Sequence, residues 1–63
     1  MKRGELERRI RQIAKDRGVR VIFANGGSHV HVTVGDKETT MPRHHEINEL
    51  TAKSILKYFK EAS

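Results

Sequence analysis

The stretch Ser28-His29-Val30-His31-Val32-Thr33-Val34 alternates strictly, with three valines on one parity and His29, His31 and Thr33 on the other, and glycine-bearing turn signals lie on both sides of it. A period of two is the pattern of a half-buried strand, so the valines are expected to face a core and the histidines to face outward. Upstream, Val19, Val21 and Phe23 alternate with Arg20 and Ile22 before Asn25-Gly26-Gly27, which offers the positive φ angles of a hairpin turn. Downstream, Gly35-Asp36 is a glycine-first turn, after which Glu38-Thr39-Thr40-Met41 can return as a third strand ended by Pro42. The expectation is an antiparallel meander of three strands. A one-residue slip would move every valine to the wet face.

Helical periodicity brackets this meander. Leu6, Ile10, Ile13 and Ala14 share one face of a helix expected from about Arg3 to Arg17, with Gly18 after its C-terminus and Glu5–Arg9 and Glu7–Arg11 as i,i+4 pairs on its wet side. A second stripe, Ala52, Ile55, Leu56 and Phe59, predicts a helix to about Lys60, with Thr51 as its N-cap and Lys53, Lys57 and Lys60 on its solvent side. The order is α-β-β-β-α, an α+β domain in which two helices cover one face of the sheet. The face with His29, His31 and Thr33 has no expected cover.

With 63 residues there is room for one domain, residues 1–63, and a chain this short buries only roughly 60% of the surface it exposes when unfolded. Phe23, Tyr58 and Phe59 are the only aromatic rings, so stability has to come from aliphatic packing. The absence of cysteine excludes disulfides and thiolate metal sites, and no apolar run approaches the roughly 20 residues that span a bilayer. A cytoplasmic location with no membrane association is the expectation.

The net charge of +5 is concentrated in the first 24 residues, where Lys2, Arg3, Arg8, Arg9, Arg11, Lys15, Arg17 and Arg20 face only Glu5, Glu7 and Asp16. Residues 25–63 balance Lys37, Arg43, Lys53, Lys57 and Lys60 against Asp36, Glu38, Glu46, Glu49 and Glu61. Clustered cations favour a polyanionic partner through counterion release and long-range attraction. Nucleic acid, an anionic membrane and an acidic protein all satisfy that requirement, and a basic face also simply aids solubility.

All four histidines lie between positions 29 and 45. His29 and His31 share one side of a strand and His44 or His45 could add a third metal ligand, but spacing fixes no carboxylate or thiol beside them, and no metal is expected. Acid-base catalysis is the stronger option, because an imidazole with an ordinary pKa near 6.5 takes up or releases a proton near neutral pH. Cleaving RNA needs a base for the 2′-hydroxyl, an acid for the leaving 5′-oxygen and positive charge near the phosphate, with no required metal or other cofactor. Serine nucleophilic chemistry is disfavoured, since neighbours Ser28 and His29 on a strand would point to opposite faces.

Gly27-Ser28-His29 at the start of a strand, Pro42-Arg43-His44 after the next, and Thr51-Ala52-Lys53-Ser54-Ile55-Leu56-Lys57 in the last helix together resemble the HicA family over nearly the whole chain. Members are toxins of toxin-antitoxin pairs that cut mRNA, on an α-β-β-β-α fold similar to the double-stranded RNA-binding domain, with the histidine of Gly-Ser-His as catalytic residue. The resemblance implies that His29 is catalytic, that Gly27 and Ser28 shape its turn, that the Pro42-Arg43-His44 loop flanks the RNA, and that a HicB-like antitoxin is the protein partner. Members often carry a basic residue just ahead of Gly-Ser-His, where this chain has Ala24, Asn25 and Gly26, so Arg20 or Arg43 is expected to supply that charge. His31 and His44 are further candidate RNA contacts. Two other readings stay open: a non-catalytic RNA-binding module of similar fold, and a domain whose basic helix docks an acidic protein.

Overall fold

The computed structural model describes residues 1–61. Its elements are α1 (Arg3–Arg17), β1 (Val21–Gly26), β2 (His29–Val34), β3 (Lys37–Pro42) and α2 (Glu49–Lys60), with the strands in the order β1-β2-β3, all antiparallel. Both helices lie on one face of the sheet, α1 over β1 and α2 over β3, and they touch each other above the central strand.

The expected core residues form one cluster. Leu6, Ile10, Ile13 and Ala14 of α1, Val30, Val32 and Val34 of β2, and Ala52, Ile55, Leu56 and Phe59 of α2 are all buried, while His29 and His31 are exposed and Thr33 is half-buried. Met41 and Ile47 complete the cluster. Ile47 is not part of any periodic stripe. It is drawn in because its N–H donates to the Met1 carbonyl at 2.7 Å and its own carbonyl accepts from the Met1 amine at 3.0 Å.

Several boundaries differ from the sequence expectation. The strand expected from Val19 begins at Val21 because residues 18 and 19 are used to end α1: Gly18, at φ 68°, donates to the Lys15 carbonyl, and Val19 donates to the Ala14 carbonyl. That is a Schellman closure, which removes two residues from the strand. β1 then continues through Asn25 and Gly26, since Gly26 pairs with His29 and the turn is the two residues Gly27-Ser28. Gly27 and Gly35 have positive φ while Ser28 and Asp36 do not, so both hairpins use the glycine-first II′ turn, whose twist matches that of the strands.

α2 starts at Glu49 rather than after Thr51, because Asn48 is the cap: its side-chain oxygen accepts from the Leu50 N–H at 2.8 Å. The Glu5–Arg9 pair forms at 2.8 Å, but Glu7 pairs with Arg3 at 3.5 Å instead of with Arg11. Arg11 lies over the Phe23 ring, 4.6 Å from its centroid, covering a half-buried aromatic at the edge of the core. At the other end of the domain, Lys37 and Arg17 donate to the carbonyls of Tyr58 and Phe59, placing cations against the negative end of α2.

Candidate functional site

The site is assembled at the end of the sheet where β1 turns into β2. The register puts Gly26 opposite His29 and His29 opposite Pro42, so the β1–β2 turn and the loop following β3 meet there. Arg43 in that loop donates from Nη1 to the Gly27 carbonyl at 2.7 Å, and Arg3 of α1 donates from Nη1 to the Arg43 carbonyl at 2.6 Å. The loop is held along its length: Arg3 N–H donates to the His45 carbonyl at 2.9 Å, Lys2 bridges to Glu46, and the Met1 amine lies 3.2 Å from the Glu46 carboxylate. That carboxylate, with Glu49 nearby, raises the pKa of the amine above its ordinary value.

Ser28 and His29 are brought together, contrary to the expectation from strand alternation. Ser28 Oγ lies 3.1 Å from His29 Nδ1, within hydrogen-bond distance. The alternation rule fails because Ser28 is the second residue of the turn and does not belong to the pleated strand. With Nδ1 engaged, the ring is oriented and Nε2 is left for other chemistry. Among the described residues, no other side chain hydrogen-bonds this imidazole.

His31 sits two residues along on the same outer face, where β1 presents Ala24 and β3 presents Thr40 opposite it. Its ring lies over Gly26, a position that sequence reasoning treated only as part of a turn. His44 and His45 are exposed in the loop after Arg43. Arg20 is not part of this arrangement: its carbonyl accepts from Gly35 N–H, at the opposite end of β2, roughly 20 Å from His29 at the usual rise of a strand. Of the two cations considered for the missing charge, Arg43 is the one at the turn. Among the described residues, no cluster of three or more His, Asp or Glu side chains is arranged to hold a metal ion.

A second feature lies on the other side of the molecule. A groove of about 300 Å³ runs between the outer sides of α1 and α2 over Ile13 and Leu56, with Arg9 and Lys60 at its rim, and contains no histidine. Lys53 and Lys57 continue this basic edge along α2. No helix among the described residues is long and apolar enough to cross a membrane. Comparison with protein-family models, with curated proteins and with solved structures matches none of them to this chain.

Proposed function

We propose that the protein is an endoribonuclease that cuts mRNA by metal-independent histidine acid-base catalysis, the toxin of a HicA/HicB-like pair that arrests translation and growth in the cytoplasm. The observation that carries this reading is the His29 imidazole: exposed at the end of β2, 3.1 Å from Ser28 Oγ through Nδ1, beside a turn whose Gly27 carbonyl holds the Arg43 guanidinium. In the tautomer in which Nδ1–H donates to Ser28, Nε2 is a base able to take the 2′-hydroxyl proton of a bound ribose. Arg43 retains further N–H donors for a phosphate oxygen, and the basic first helix attracts the RNA backbone. The sequence resemblance at Gly27-Ser28-His29 and Pro42-Arg43-His44 supports the same reading. A larger acidic HicB-like antitoxin is the partner proposed for the +5 chain.

The test is cleavage of a long RNA in EDTA by wild type and His29→Ala, with a thermal melt, RNA affinity and growth on induction measured alongside. Wild type is expected to cut, and His29→Ala to fold and bind RNA while losing roughly 10²- to 10⁴-fold in rate, the usual effect of removing a general acid or base. A folded His29→Ala protein that cut at the wild-type rate would remove this residue from the mechanism. RNA bound tightly but left intact by wild type would mark a non-catalytic binding module. Activity lost in EDTA and restored by a divalent ion would mark a metal nuclease.

A further inference from the structure

We propose that His31 is a second proton-transfer group, set beside His29 by the missing side chain at Gly26, so that the two imidazoles serve one phosphodiester as acid and base. This rests on the ribonuclease reading and adds a residue to it. A Cβ at Gly26 would lie 2.5 Å from Cδ2 and 2.6 Å from Nε2 of His31, so the ring fills the space that any other residue's side chain would take. Glycine is not required there by the backbone, since the positive-φ glycines are Gly18, Gly27 and Gly35. What position 26 supplies is room.

The register gives that room a direction. His31 pairs with Ala24, whereas Gly26 pairs with His29, so a His31 ring lying over Gly26 has left its own row and moved diagonally towards the His29 row. Diagonal neighbours on a sheet are within reach of ring-sized side chains. Thr40 flanks His31 on β3, and Glu38, opposite Thr33, is the one carboxylate at an outward position of the strands. Arg43 lies beyond the turn on the Gly27 carbonyl. The register and this hydrogen bond thus put Arg43, with exposed His44 and His45 next in its loop, at the turn end of the outward row, and Glu38 at the Thr33 end.

Two imidazoles on one phosphate complete a balanced reaction. The 2′-hydroxyl gives its proton to neutral His29, and its oxygen bonds to phosphorus as the P–O5′ bond breaks. The electron pair of that bond stays on O5′, which takes a proton from His31 in its imidazolium form. The products are a 2′,3′-cyclic phosphate and a 5′-hydroxyl, with one proton gained by His29 and one lost by His31.

The experiment compares wild type, His31→Gln and Gly26→Ala for the pH dependence of kcat/KM, RNA affinity and melting temperature, and repeats cleavage on RNA with sulfur at the scissile 5′-position. A 5′-thiolate leaves without protonation. Wild type is expected to give a bell-shaped profile. His31→Gln is expected to lose about 10²-fold or more and the alkaline limb, to stay folded, and to regain near-wild-type cleavage on the 5′-thio substrate. Gly26→Ala, which displaces the ring, is expected to share the loss. His29→Ala is not rescued by sulfur. Wild-type rate and profile in His31→Gln, or no rescue by the thio substrate, would overturn this inference and leave the ribonuclease reading standing. A wild type that cuts no RNA would overturn both.

Discussion

Arg43 donates from Nη1 to the Gly27 carbonyl across 2.7 Å, tying the loop after β3 to the turn before β2. The contact is exposed, so it contributes about 1 kcal/mol or less to stability. Its larger effect is on the position of the turn that carries Ser28 and His29. Arg43→Ala is expected to leave the melting temperature within a few degrees, to speed amide exchange at Ser28 and His29, and, on the proposed ribonuclease function, to lower RNA cleavage between about tenfold and 10²-fold. Arg43→Lys keeps the charge without the planar fork. If the Lys variant restored cleavage while exchange stayed fast, the role of Arg43 would be its charge and not the tie.

Val32 is fully buried at the centre of β2, and its neighbour Thr33 faces the other way. Val32→Asp buries an unpaired carboxylate, at a cost of several kcal/mol against a total stability of about 5 kcal/mol for a small domain, and is expected to unfold the protein. Thr33→Asp is expected to fold. Circular dichroism melts of the two variants check this, and equal losses would contradict the observed strand faces.

The cap of α2 separates two residues that look alike in sequence. Asn48 accepts from the Leu50 N–H, while Thr51 lies inside the first turn of the helix. Asn48→Ala is expected to cost about 1 kcal/mol and Thr51→Ala a few tenths, read from urea melts. The reverse order would place the helix start after Thr51.

Two half-buried residues, Met1 and Glu5, give stability a pH dependence of opposite sign. The Met1 amine is raised above 8.0, chiefly by its hydrogen bond to Glu46, so its contribution is complete below that value and is lost as pH rises through the folded-state pKa. Glu5 is lowered below 4.5, chiefly by hydrogen bonds from Arg8 and then Arg9, so its contribution is complete above that value and fades as pH falls through the folded-state pKa. Urea midpoints are expected to fall at both extremes. Glu46→Gln should flatten the alkaline limb, and Glu5→Gln should flatten the acid limb while leaving the alkaline limb unchanged.

The two apolar helical stripes, the valine face of β2 and the outward histidines were all legible in the sequence, because each depends on a period that a short segment expresses by itself. Gly18, Gly27 and Gly35 likewise mark positive-φ positions that a local reading expects. The turn boundary was not legible: Asn25-Gly26-Gly27 offers several ways to place a hairpin, and only pairing of Gly26 with His29 selects Gly27-Ser28. That selection moves Ser28 off the strand and onto His29, and it puts Gly26 under His31. The burial of Ile47 and the placement of Arg43 were equally beyond local reading, since one depends on Met1 and the other on Gly27, far away along the chain. Periodicity thus determined which faces are buried, and tertiary structure decided which polar groups meet, because register and loop contacts join residues whose sequence separation carries no local signal.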